Sequence, residues 1–430
     1  MAIKKKQKIA FKLSHRRLIW LLLILGFAIK IYRLDYPNNF YFDEVYHGFT
    51  ATRMLHHDPQ VYDPWAKPPE GVAFEWTHPP LAKLLMAFNM AIVGESSFGW
   101  RLGSVLFGTL AIALSGIIAF ELTASSLLAL LTVFFLSFEG LIFVQARIAM
   151  NDSYFLSFAL FTILCYLRWR KDPTSWRYIL ATGLGLGLAA ATKWTTAYLF
   201  CIIAIDLCLG LAITRNFPGK RLPIREFFVW ILVPIAVYLV SYLDMFLSGA
   251  SWEQFVELQR QMFYYHSNLK ATHSYQSLPW QWLFNLRPVW MHVDYQHQGM
   301  IQNIYNIGNS VVLLGGLFAV IRYMWNHRNI SWPWPWRFIA LCYFMLWLPW
   351  SFSPRIMLFY HYLPAVPFLC MFLAQAVAEF LTSPSLTKQR LAKGLLVATV
   401  LWFLVFFPDM TGIAVPERLA YIYFAIPSWR

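Results

Sequence analysis

The chain has 430 residues, 59% of them hydrophobic and only 13% charged, with a formal net charge of +14 at neutral pH. Apolar runs of roughly 17–25 residues, each long enough to cross a bilayer, recur along almost its whole length and exclude an ordinary soluble domain. The basic residues fall in short segments between those runs and build no basic-aromatic face, which excludes a nucleic-acid surface.

The first segment, MAIKKKQKIAFKLSHRR, precedes an apolar run at 18–33. No small-residue cleavage site follows it, so it is expected to stay as an uncleaved first crossing. Ten further crossings are expected at 99–120, 124–145, 152–168, 178–192, 195–213, 226–248, 306–323, 337–351, 359–381 and 392–408. The stretch 79–94 (PPLAKLLMAFNMAIVG) begins with Pro-Pro and contains Lys83, so it is expected to lie along the interface. The loops test this count. Segments 1–17, 121–123, 168–177, 214–225, 322–337 and 382–393 hold 21 of the 35 Lys and Arg residues, with Glu121 and Asp172 as their only acids. Segment 34–97 holds eight acids against three bases. The asymmetry predicts an N-in, C-out all-α polytopic protein with two large outer loops, 34–98 and 249–305. Counting 79–94 as a crossing would invert every later loop. The five cysteines all lie in apolar segments, without metal-ligand spacing.

Charged and polar groups at membrane depth are functional candidates by default. On the outer side they are Asp43, Glu44, His47, His78, Arg101, Arg147, Asp152, Lys193, Asp244, Arg355 and His361. Cations converging near the interface suit a lipid phosphate, and a carboxylate among aromatics suits a general base acting on a hydroxyl. Together they are the parts of a glycosyl transfer from a polyprenyl-phosphate sugar. Blander roles stand beside each of these. Arg101 and Lys193 would also serve as helix-end anchors, and Arg147 and Asp152 flank a short turn across which they would pair. Asp244 suits helix pairing, and adjacent Asp43 and Glu44 suit a solvated loop. The histidines lack HExxH-type spacing, so no metal is expected.

The chain resembles the dolichyl- (polyprenyl-) phosphate-mannose protein O-mannosyltransferases of the GT-C superfamily. The resemblance rests on FDEVYHG (42–48), THPPLAKLL (77–85), WRLGSVLFGTL (100–110), EGLIFVQARIAMND (139–152) and GLGLGLAAATKWTTAYL (183–199). RPVW (287–290), IYNIGN (304–309) and SPRIMLFYHYLPAVPF (353–368) continue it. It implies a GT-C fold of eleven spans, with Asp43 as the base activating a Ser/Thr hydroxyl and Glu44 positioning substrate. Arg101 and Lys193 match positions linked to activity or lipid-phosphate binding. Arg355 and His361 are added on the phosphate side; His47, His78 and Arg147 are placed on the acceptor side. The resemblance also implies metal-independent action on a polyprenyl-phosphate-mannose donor, in a bacterial cell (inner) membrane with the site facing the outside or periplasm. The partners expected are the donor lipid, an acceptor protein or peptide, and membrane lipids, with a dimer or a translocon association compatible with the pattern. Two departures are visible. Loop 249–305 is too short for the soluble β-trefoil (MIR) domain of eukaryotic members, so one core-only domain over 1–430 is expected, and Tyr46 precedes His47 where the family often reads Val-His-Phe. A related transferase acting on a lipid or glycan, or a lipid-linked-sugar transporter, stands as the competing reading.

Overall fold

The computed structural model describes residues 12–214, 224–295, 299–329, 332–424 and 426–429. The basic residues of 1–11 and most of the expected 214–225 inner loop lie outside them. Helix α1 (Leu13–Ile31) covers the first apolar run. The acidic stretch after it is irregular, with a 3-10 turn at Phe42–Val45, helix α2 (His47–Leu55), a second 3-10 turn at Pro59–Tyr62 and helix α3 (Leu81–Val93). Helix α3 buries Ala82, Lys83, Met86, Ala87 and Met90 and packs on α2 and on the next long helix, α4 (Ser97–Thr123). Ser96 caps α4, accepting from Gly99 N at 3.3 Å.

The apolar run 124–145 is two helices, α5 (Ser126–Ser137) and α6 (Gly140–Gln145). Glu139 causes the break. Its carboxylate caps α6 by accepting from Ile142 N at 2.8 Å, and its other oxygen accepts from Asn309 N at 3.0 Å. A buried break is tolerable only when the freed backbone groups find partners, and Glu139 with Asn309 supplies them. Next come α7 (Asp152–Lys171), α8 (Trp176–Ala190), a 3-10 turn at Trp194–Thr196, α9 (Ala197–Thr214), α10 (Ile224–Ser241) and α11 (Leu243–Leu247). Helix α8 is wedged between α7 and α10. A Cβ at Gly185 would meet Thr162 Oγ1 at 2.5 Å, and one at Gly187 would meet Val237 Cβ at 2.6 Å. Only glycine permits these approaches, which accounts for the GLGLG run.

Loop 249–305 holds α12 (Trp252–Asn268), α13 (Pro279–Leu283) and a hairpin, β1 (Val289–Asp294) with β2 (Met300–Asn306). The strands pair antiparallel with a register shift between Trp290 and His292. Helices α14 (Ser310–Asn326), α15 (Trp334–Trp347), α16 (Val366–Leu381) and α17 (Leu386–Thr411) follow, then β3 (Val415–Pro416), which pairs with β2, and α18 (Glu417–Tyr423). The all-α expectation is therefore corrected by a small three-stranded sheet. Its sequence signal, Val289, Met291 and Val293 alternating with Trp290, His292 and Asp294, is too short to stand out from the surrounding loop.

Helix lies over every apolar run named above, and among the described residues four helices are long and apolar enough to cross a membrane by length and composition: Ser97–Thr123, Ile224–Ser241, Phe359–Leu381 and Leu386–Thr411. One buried cluster draws side chains from Leu23 through Trp429, so both halves of the chain share a core. At one end of the bundle α1 and α8 finish while α7, α9 and the 3-10 turn Phe359–Ala365 leading into α16 begin. The irregular loop carrying Asp43 returns to that end.

Candidate active site

Asp43 owes its position to the turn that holds it. Phe42 sits in the left-handed region at φ +49°, a conformation that costs a bulky residue free energy and persists only under outside support. Its ring is held edge-on against Tyr360 and His273, each at 6.3 Å between centroids. Tyr360 Oη donates to Asp43 Oδ2 at 3.2 Å. Asp43 is partly buried and lines a cleft. Burial first, and then the charge of Glu75, push its carboxyl up to about 7, although the Tyr360 hydrogen bond acts in the opposite sense.

The cleft encloses about 470 Å³. Seven of the residues singled out from the sequence line it: Asp43, His47, His78, Asp152, Lys193, Arg355 and His361. Lys193 Nζ lies 2.8 Å from Asp152 Oδ1, joining the end of α8 to the start of α7. Arg355 contacts His266 Nδ1, while His266 Nε2 lies 2.7 Å from Thr77 O. His361 Nδ1 is engaged with the Leu358 backbone, and its ring stacks on Tyr360.

Glu44, Arg101 and Arg147 do not line the cleft. Arg101 is fully buried and forms a two-pronged ion pair with Glu44, both N···O distances being 2.8 Å. Its remaining donors reach the carbonyls of Leu34, Pro37 and Asn39 at 2.8–3.0 Å. Glu44 also accepts from Ala149 N at 2.9 Å. The pair thus staples the Asp43 loop to α4 and to the segment before α7. Arg147 caps α1 instead of pairing with Asp152: its guanidinium donates to Lys30 O at 2.6 Å and Tyr32 O at 2.7 Å. The short-turn pairing is corrected on this point, since the carbonyls that end α1 come nearer to Arg147 than Asp152, which Lys193 occupies. Asp244 accepts from Tyr62 Oη at 3.2 Å and lies 2.8 Å from His57 Nδ1, tying the end of the bundle to the outer loop.

Three groups converge next to Asp43 that sequence spacing does not connect. Ligand atoms of His47, Glu75 and His78 lie within 4.8 Å of one another, and His78 Nδ1 is 2.9 Å from Glu75 Oε1. Burial works to raise the Glu75 carboxyl, yet His78, His47 and Lys83 around it hold it well below the usual carboxylate range. Burial pushes His47 down to about 4 and His78 down to about 3. In the sequence Glu75 is one of eight outer acids, and Tyr360 and His266 do not stand out at all. The Glu-x-x-His spacing of 75–78 was the available signal for the first; the other two carry none.

A helical bundle with an acid, a lysine and an arginine facing one cleft at the bundle end has the outline of a membrane glycosyltransferase, and the comparisons agree. The fold matches the S. cerevisiae protein O-mannosyltransferase Pmt1-Pmt2 complex bound to the sugar donor, with a TM-score of 0.81 over 98% of this chain and 93% of that one, at 14% identity. It also matches ArnT from Cupriavidus metallidurans bound to undecaprenyl phosphate, with a TM-score of 0.59 over 95% of this chain and 76% of that one, also at 14% identity. The family model "Dolichyl-phosphate-mannose-protein mannosyltransferase" matches residues 20–247, and "C-terminal four TMM region of protein-O-mannosyltransferase" matches 251–420. The chain belongs to the dolichyl-phosphate-mannose–protein mannosyltransferase family; it is a glycosyltransferase and an integral membrane protein. Polyprenol-phosphate-mannose–protein mannosyltransferases of Mycolicibacterium smegmatis and Mycobacterium tuberculosis are each 25% identical to it. The first covers 90% of this chain and 87% of its own, the second 82% and 81%.

Proposed function

We propose that the enzyme transfers mannose from a polyprenyl-phosphate-mannose donor to Ser/Thr hydroxyls of proteins at the outer face of a cell membrane. One observation carries this reading: the Asp43 carboxylate, held by Tyr360, opens on a cleft that Lys193 and Arg355 also line. The acceptor hydroxyl attacks the anomeric carbon and its proton passes to Asp43. The bond from that carbon to the phosphate oxygen breaks, and polyprenyl phosphate leaves with its charge met by Lys193 and Arg355. A single displacement of this kind inverts the anomeric carbon. A lipid phosphate leaves without being protonated, so one base is enough, in contrast to glycosidases with two carboxylates. A carboxyl near 7 is matched to base work at neutral pH. Glu44 and Arg101 act by positioning, as the staple that fixes the Asp43 loop. Eleven crossings, N-in and C-out, follow from the loop charges, with α3 lying along the interface.

Purified enzyme given labelled donor and a Ser/Thr peptide is expected to place the label on a side-chain hydroxyl, read by mass spectrometry of the peptide. Label recovered only in lipid or glycan would overturn the acceptor assignment. Lys193→Ala is expected to raise the donor KM at least about tenfold through loss of one charge-assisted contact, leaving the acceptor KM in place. Equal loss on both would argue for disruption around Asp152 instead.

Tyr360→Phe removes the one hydrogen bond that lowers the Asp43 carboxyl. The acid limb of the pH–rate profile is expected to move to higher pH, so the variant loses most at pH 6 and recovers toward pH 9. An unmoved limb would separate Tyr360 from Asp43.

A further inference from the structure

The geometry points to a binding site for one divalent transition-metal ion of the zinc class, held by His47, Glu75 and His78 in the wall of the cleft. This goes beyond sugar transfer and holds whichever acceptor the enzyme uses.

Two imidazoles and one carboxylate form a donor set that suits zinc and its neighbours, leaving a fourth position open. Their ligand atoms already lie within 4.8 Å of one another, against about 3.3 Å between ligands on a tetrahedral ion with bonds of about 2.0–2.1 Å. His47 is 4% exposed, and its Nδ1 is buried without a hydrogen-bond partner. A polar ring atom left bare in the interior is costly unless something else meets it.

The surroundings fix the donors as an outer layer fixes metal ligands. Glu75 N donates to Thr50 Oγ1 at 2.7 Å, tying the Glu75 segment to α2, the helix that starts at His47. Lys83 Nζ donates to Glu75 O at 2.6 Å and His78 O at 2.8 Å. Thr77 Oγ1 bonds Glu75 Oε1, and His266 Nε2 holds Thr77 O. The two arms that carry the donors are therefore locked together before any ion arrives. All three donors line the cleft, which supplies the entry path.

Full-length enzyme, purified on a histidine-free tag and stripped with a chelator, would be titrated with Co²⁺ alone. One ion per chain is expected, with visible ligand-field bands that Zn²⁺ abolishes. His47→Ala and Glu75→Gln are each expected to weaken Co²⁺ binding at least tenfold, whereas His57→Ala, at an exposed site, leaves it unchanged. His78→Cys is expected to add a sulfur-to-cobalt charge-transfer band in the near ultraviolet, a gained signal that misfolding cannot imitate. Either of two results would overturn the site. One is the absence of stoichiometric ligand-field bands in the wild type. The other is a His78→Cys protein that elutes as folded, binds Co²⁺ and lacks the charge-transfer band.

Discussion

Asp43→Asn is expected to lower kcat for mannosyl transfer by about 10²–10⁴-fold, the usual contribution of a positioned general base, or about 3–5 kcal/mol of barrier. Asparagine keeps the volume and can still accept from Tyr360, so the donor KM is expected to change little. As a general base, Asp43 would work only in its ionised form. The rate is therefore expected to rise with pH through about 7 and level off above it, and the asparagine variant to lose that limb. Stability moves the other way. A carboxyl whose folded pKa is raised from 3.8 to about 7 favours the native state at low pH and loses that contribution as pH climbs between the two values. Asp43→Asn is accordingly expected to raise the thermal midpoint at pH 8 while removing activity, the exchange of stability for function common at active sites. A variant that transfers mannose at near wild-type rate, or melts lower at pH 8, refutes the base assignment.

The second large effect concerns folding. Arg101 and Glu44 are both fully buried, and the guanidinium makes five hydrogen bonds. Removing one partner leaves an uncompensated charge in the interior, at a cost of about 3–5 kcal/mol. Arg101→Met and Glu44→Gln are each expected to reduce folded yield and the thermal midpoint in detergent. The double variant is expected to recover part of the loss, because two neutral groups are tolerated where one bare charge is not. Arg101→Lys is expected to fail almost as badly, since an ammonium cannot reproduce the two-pronged contact. If Arg101→Met instead melts like wild type and shows only a raised donor KM, then Arg101 touches the lipid phosphate and the staple reading is refuted.

The two residues of the Asp-Glu pair show what adjacency conceals. In the sequence Asp43 and Glu44 are equivalent acids in an oily chain. In the fold one faces the cleft and bonds Tyr360, while the other turns inward to Arg101. A one-residue step along a 3-10 turn rotates successive side chains by about 120°, so neighbours in the chain part company. The reverse holds for His47, Glu75 and His78. Their helix and loop are separate in the sequence, and only the packing of α2 against the 75–78 segment joins them.

By itself the sequence determined that the chain is a bundle of apolar helices, that its acids and bases concentrate in different segments between them, and that ordered motifs such as FDEVYHG and THPPLAK belong to a mannosyltransferase family. Hydrophobic length and charge asymmetry are local properties, and they survive without knowledge of contacts. The tertiary structure alone decided the partners. It gave Asp152 to Lys193 rather than Arg147, broke the third apolar run at Glu139 by supplying Asn309, and paired the strands β1 and β2 inside a presumed loop. Each of these depends on which distant polar group reaches a buried donor or acceptor first. In an interior where every such group must find a partner, long-range packing settles that choice rather than spacing along the chain.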